Sequence, residues 1–139
     1  MNIGVIPVRM GSSRYPGKPL KLIHGKSMVQ RVIENTLDSS LLDRLIVATC
    51  DAEIRKHCEE LGYEVIMTSP HHERASDRTA EAVKILESSG LSGISIVVMI
   101  QGDEPLIDGE MIDEAIGALK TSGAVVSNVL GPLSEEDRN

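Results

Sequence analysis

Apolar residues fall along this chain in two rhythms. Short, unbroken, β-branched runs alternate with longer stretches in which apolar positions recur every three or four residues. Ile3 to Val8 is the first run, bounded by loop residues, and predicts a buried strand. A loop from Arg9 to about Lys26 follows. Ser27-Met28-Val29-Gln30 has the spacing of a capping box and opens a helix with Val29, Val32, Ile33 and Leu37 on its apolar face. Leu45 to Thr49 is a second strand. Asp51 is placed to cap the next helix, which runs to about Leu61 and stops at Gly62. Glu64 to Met67 is a third strand, Thr68 to Ser76 a polar loop, and Asp77 to Glu87 a third helix with Ser76 or Asp77 near its start. Ile94 to Ile100 is the most apolar strand, broken only by Ser95; Asp108 caps a fourth helix to about Thr121, and Ala124 to Val129 predicts a fifth strand.

Strands that are apolar throughout, alternating with helices, signal a mostly parallel sheet covered by helices on both faces. The expectation is therefore an α/β, three-layer Rossmann-like fold, with residues 1–139 forming one unit. In such sheets ligands bind beyond the carboxyl ends of the strands. Three polar loops follow strands: Arg9 to Lys18, Thr68 to Asp77, and Gln101 to Pro105. All three are thus expected at one crevice. The final stretch, Gly131 to Asn139, reads as a polar loop leading nowhere.

Charge sharpens this picture. The net charge is −7, yet none of the 21 acidic residues precedes Glu34, while Arg9, Arg14, Lys18, Lys21, Lys26 and Arg31 all do. An acidic protein with one basic segment argues against coating nucleic acid. With no Trp, no Phe and only Tyr15 and Tyr63, there is no platform for stacking bases. Cys50 and Cys58 match no common zinc spacing and make no disulfide framework, so they read as reduced thiols of a cytoplasmic protein. The apolar run at the start stops at Val8 without a basic segment before it, and no run approaches membrane-spanning length; neither signal peptide nor membrane insertion is expected.

The basic loop reads Gly11-Ser12-Ser13-Arg14-Tyr15-Pro16-Gly17-Lys18-Pro19. It departs from the Walker pattern: five residues, not four, separate its glycines, and Pro19 stands where a hydroxyl would meet magnesium. Amides around Gly11, Ser12 and Ser13 could nest an anion, with Arg9, Arg14 and Lys18 neutralising it. From the residues alone, a solvated loop with incidental basic side chains fits as well. Gln101-Gly102-Asp103-Glu104-Pro105 offers a carboxylate at a strand end, suited to Mg2+, which uses one or two protein carboxylates and completes its shell with water and phosphate. Asp103 and Glu104 point apart in an extended segment, and Asp103 is the expected ligand. His71-His72-Glu73 reads as polar loop rather than metal site, and Met28, Met67, Met99 and Met111 as core filler.

Taken together these stretches resemble the CMP-KDO synthetase (3-deoxy-manno-octulosonate cytidylyltransferase) family. The resemblance runs through Ile6 to Leu20, Gly25-Lys26-Ser27-Met28, Ile46 to Thr49, Met67-Thr68-Ser69-Pro70 and Gln101 to Ile107, in family order. It implies a nucleotidyltransferase fold and a magnesium-dependent reaction in which a sugar acid's anomeric hydroxyl attacks the α-phosphorus of CTP. Pyrophosphate then leaves, giving a CMP-sugar for lipopolysaccharide synthesis. It implies that Val8, Arg9, Met10, Gly11, Ser12, Ser13, Arg14, Lys18, Ser76, Arg78 and Gln101 bind the nucleotide. Arg14, Lys18 and Asp103 would be catalytic, with Asp103 on the metal. Two departures stand out. Where the family reads Ser-Gly-Thr-Asp/Glu-Arg, this chain has Arg74-Ala75-Ser76-Asp77-Arg78, and Cys50 replaces an acidic residue. Family enzymes are also much longer; their second half supplies most of the sugar pocket, another metal-binding Asp and much of a dimer interface, so the chain resembles a truncated form. An aliphatic face left open by that half would favour a homodimer. A related transferase using another NTP or sugar, and a non-catalytic or partner-dependent nucleotide-binding module, are the alternative readings.

Overall fold

A computed structural model describes residues 1–11 and 17–124. In chain order the elements are β1 (Asn2–Pro7), a 3-10 turn (Lys18–Leu20), β2 (Leu22–Ile23), β3 (Lys26–Ser27), α1 (Met28–Leu37), β4 (Arg44–Thr49), α2 (Ala52–Glu60), β5 (Val65–Met67), α3 (Ala75–Ser88), β6 (Ile96–Met99) and α4 (Gly109–Ser122). Four strands form a parallel sheet in the order β5-β4-β1-β6. The expected strand at Ala124 to Val129, and the terminal stretch, lie outside the described residues apart from Ala124.

Strand β1 is the axis. Its alternation sends Ile3 and Val5 to one face and Ile6, with Val8 beyond it, to the other, all buried. On the first face α3 lays Ala82 and Leu86 over Ile3, Val5, Ile46 and Ala48. On the second, Val29, Val32 and Ile33 of α1, Ile54 and Cys58 of α2, and Ile112 and Ile116 of α4 enclose Ile6, Val8 and Val47. Helices thus cover both faces, as the apolar strands predicted. Each buried Ile or Val contributes roughly 1.5–3 kcal/mol of transfer free energy, so an aliphatic core suffices without large rings. Burial first, and then the nearby Glu59 carboxylate, pushes the Cys58 thiol up to about 11, as befits a packing residue.

Several expectations need correction. The loop after β1 contains a two-residue-per-strand hairpin, β2–β3, turned by His24 and Gly25 with φ of 50° and 84°. Positive φ at both central positions is the geometry that matches strand twist. Leu37 is 54 % exposed rather than on the buried stripe of α1. Helix α3 begins at Ala75, so Ser76 and Asp77 sit in its first turn, and its N-cap is Arg74. Strand β6 is shorter than the apolar run and, among the described residues, lies at a sheet edge, with Val97 and Met99 about 40 % exposed on the face that α3 leaves bare. No helix among the described residues is long and apolar enough to cross a membrane.

Candidate functional site

From β1 the chain proceeds to β4 and β5 on one side, while β6 lies on the other. The order therefore reverses between β1 and β6, and a crevice opens where their carboxyl ends part. Gly102 makes that junction close. A Cβ there would stand 3.2 Å from the Val8 side chain and 3.3 Å from the Pro7 carbonyl, so any larger residue would crowd the end of β1 and push the β6 exit back by a few tenths of an ångström. Its neighbours Gln101 and Asp103 are thereby brought alongside the basic loop. The segment is fixed from behind as well: Glu104 N–H donates to the Gln101 carbonyl, and Asn35 of α1 donates to the Pro105 carbonyl at 2.7 Å.

The result is a cleft of about 450 Å3 at the strand ends, within the range of small-molecule sites. Of the residues predicted for the site, Val8, Arg9, Lys18, Arg78, Gln101 and Asp103 line it together. Met10, Gly11 and Ser76 are not among its lining residues, and Ser12, Ser13 and Arg14 lie outside the described residues. The cleft also takes residues that sequence reasoning assigned elsewhere. Met28, read as core filler, is buried and faces it, and His72, Glu73, Arg74 and Ala75 supply a wall from the loop before α3. The signal for that wall was the placement of a polar loop after a strand; which of its residues turn inward depends on where α3 starts.

Arg9, Lys18, Arg74 and Arg78 make the cleft cationic against Glu73 and Asp103, the reverse of the protein's overall sign. Arg78 is only 3 % exposed, yet one terminal nitrogen spends its hydrogen bonds on the Thr68 hydroxyl and the Ser69 carbonyl. No carboxylate pairs with it within 4 Å among the described residues. A buried guanidinium needs negative charge nearby; Glu81 on the same helix supplies part of it at longer range, and an anion in the cleft would supply more. One turn along α3, Glu81 accepts from Ser69 N–H and pairs with the His72 ring at 2.6 Å. The amide first, then the imidazole, holds the Glu81 carboxyl below its usual range. Helix α3 thus pins the wall loop at two points.

Across the cleft Lys18 Nζ faces Asp103 at 3.9 Å, both side chains well exposed. Lys18 opens a 3-10 turn whose N-cap, Gly17, has φ of 78°, a conformation glycine adopts without strain. Buried Pro19 anchors the turn. No group of three or more His, Cys, Asp or Glu suited to a metal occurs among the described residues. Asp103 as one carboxylate beside a cationic loop fits a cation that completes its shell with water and ligand oxygens.

Asp51 was expected to cap α2. It occupies the N-cap position, but its side chain makes no capping bond; Oδ2 instead accepts from Met10 N–H at 2.8 Å, at the root of the basic loop.

Comparison with known proteins fits this geometry. A family model described as cytidylyltransferase matches residues 3–139. The 3-deoxy-manno-octulosonate cytidylyltransferase of Chlamydia pneumoniae is 45 % identical over 120 residues, covering 86 % of this chain and 46 % of that protein. The protein of the same name from Thermodesulfovibrio yellowstonii is 42 % identical over 139 residues, covering 99 % and 54 %. A solved CMP:2-keto-3-deoxy-manno-octonic acid synthetase complexed with CTP superposes with a TM-score of 0.78 at 34 % identity, covering 88 % of this chain and 48 % of the other. The chain spans about half the length of the curated relatives it matches.

Proposed function

This chain belongs to the cytidylyltransferase family, and on that premise we propose that its cleft is the CTP site of a nucleotidyltransferase that passes CMP to a KDO-like 2-keto-3-deoxy sugar acid. The observation that carries the reading is Lys18 facing Asp103 at 3.9 Å across a cleft that Arg9, Arg74 and Arg78 also line. A triphosphate needs that arrangement: donors along its length and one carboxylate for its metal. The name and bound CTP of the solved relative support the choice of nucleotide.

In the proposed reaction the anomeric hydroxyl of the sugar acid loses its proton to solvent as its oxygen bonds to the α-phosphorus, and the bond from that phosphorus to the α,β-bridging oxygen breaks. Pyrophosphate leaves with the electron pair. Lys18 and Arg9, with Arg14 from outside the described residues, meet the charge that grows on the departing oxygens. Asp103 would hold Mg2+, which when bound adds Lewis-acid polarisation and aligns the phosphates. Arg78 supplies a fixed positive charge in the wall, and Gln101 an amide at the β6 exit. The product would serve lipopolysaccharide synthesis in the cytoplasm.

A second reading, a nucleotide-binding module dependent on a partner or on self-association, draws on two observations. Among the described residues Asp103 and Glu73 are the only carboxylates lining the cleft, and Val97 and Met99 leave an apolar face open for a homodimer. Thermal unfolding with CTP, UTP, GTP or ATP, each with and without Mg2+, tests the site. A ligand at a hundredfold excess over its Kd adds roughly 2.7 kcal/mol. A magnesium-dependent stabilisation selective for CTP is expected, and absence of any shift would overturn the CTP-site reading. Pyrophosphate release on adding a sugar acid then separates transferase from module.

A further inference from the structure

Asp51 stands apart from the residues lining the cleft, yet it reaches the loop that does. Its Oδ2 accepts from the Met10 amide, 41 positions away, at 2.8 Å. The Met10 carbonyl accepts from Gly17 N–H at 3.0 Å. Met10 and Gly17 therefore close the neck of the loop, and Gly17 is the N-cap of the turn that begins at Lys18. One carboxylate, one amide and one carbonyl link the start of α2 to the position of Lys18. Asp51 itself is held: its own N–H donates to Thr49 Oγ1 at 3.2 Å, and Thr49 is fully buried. Strand β4 and its exit thus form a rigid base for the neck.

We propose that Asp51 is a positioning residue for the basic loop, setting the neck at Met10 and Gly17 so that Lys18 meets the triphosphate. The inference rests on the CTP-site reading for its functional consequence, but not for its structural content. The alternative is that Asp51 matters only as the N-cap of α2. That alternative is separable by side-chain reach. Asn keeps an oxygen at the same distance from the backbone. Ser is a strong N-cap residue, but its hydroxyl lies one atom closer to its own backbone and falls short of Met10.

The test compares Asp51→Asn, Asp51→Ser and Asp51→Ala in the full chain, with circular dichroism to establish folding. Amide hydrogen exchange at Met10 and Gly17 is measured by NMR, and CTP affinity by calorimetry. Loss of a charge-assisted hydrogen bond predicts roughly tenfold less protection at Met10 in the Ala and Ser variants. The Asn variant stays within about threefold of the original by the same rule. CTP affinity falls in the same order. If Ser restores protection and affinity as fully as Asn, or Ala leaves Met10 exchange unchanged, the inference is overturned. The exchange readout needs no nucleotide. A wild-type protein that bound no CTP would sink the functional reading, while the neck itself would still stand or fall on exchange.

Discussion

Lys18→Ala separates fold from function more cleanly than any other single change. In the free protein the side chain makes one ion pair among the described residues, to Asp103 at 3.9 Å, with side-chain exposures of 38 % and 61 %. Pairs of that kind contribute under about 1 kcal/mol. The backbone role of Lys18, accepting from Lys21 N–H at 3.1 Å, is kept by alanine. Removing the side chain should therefore lower Tm by less than about 5 °C. Against a triphosphate the same ammonium makes a charge-assisted contact of roughly 1.5–3 kcal/mol, or about a ten- to hundredfold change in Kd. Differential scanning calorimetry without ligand and titration calorimetry with CTP and Mg2+ read the two sides, and the affinity deficit should shrink as salt is raised. A Tm drop beyond about 10 °C with unaltered CTP affinity would refute the reasoning, because it would make Lys18 a structural residue and not a triphosphate ligand.

Asp103→Asn should abolish the magnesium dependence of CTP binding with a stability change under about 1 kcal/mol; binding that still strengthens with Mg2+ as before would remove Asp103 from the metal. Asp113 of α4 accepts from the Ser39 hydroxyl, from the Ser40 amide and hydroxyl, and from the Leu41 amide, and the Ser39 bond first among these holds its carboxyl down at about 2, against an ordinary 3.8. A depressed folded-state value contributes stability above the unfolded value that is lost as pH falls through about 2. Asp113→Asn should cost roughly 1–2 kcal/mol at neutral pH, and denaturant midpoints should fall less steeply for the variant than for the original between about pH 4 and pH 2. Gly109→Ala would put a Cβ 2.3 Å from the Asp38 carbonyl carbon and the Ser39 nitrogen. It should destabilise by about 2–3 kcal/mol in urea unfolding by prying α4 from α1, and a neutral outcome would mean that the two helices part easily.

The sheet was legible because its strands are apolar throughout, and a short β-branched run has few other homes. The start of α1 was legible for a local reason, and Ser27 Oγ does accept from Gln30 N–H, although the Gln30 side-chain amide donates to Glu34 instead of closing the box. Asp51 was misread for the opposite reason. A carboxylate before a helix is a cap by local rules, but a tertiary amide outbid the helix's own. The apolar run at Ile94 to Ile100 could not declare itself an edge, since a strand's neighbours are set by the whole topology. The His24-Gly25 hairpin carried its signal, a glycine at a tight turn, inside a segment read as loop. At the site, residue type pointed to Lys18 and Asp103, whereas the inward turn of Arg74 follows from the start of α3 one residue later.

The place of β1 in the sheet bears on how the cleft behaves in time. Strand β1 is paired on both sides and buried along its length, while among the described residues β5 and β6 form the two edges. Local opening in proteins begins where fewest contacts hold, and central strands open last, at the cost of global unfolding. The loop carrying Lys18 springs from the most persistent strand of the protein. The walls that carry Arg74, Arg78 and Asp103 spring from its least persistent ones. The cleft therefore has a steady base at the end of β1 and walls that open more readily. A ligand would be met first by Val8 and Arg9, which follow β1 directly, and gripped by walls that settle after it.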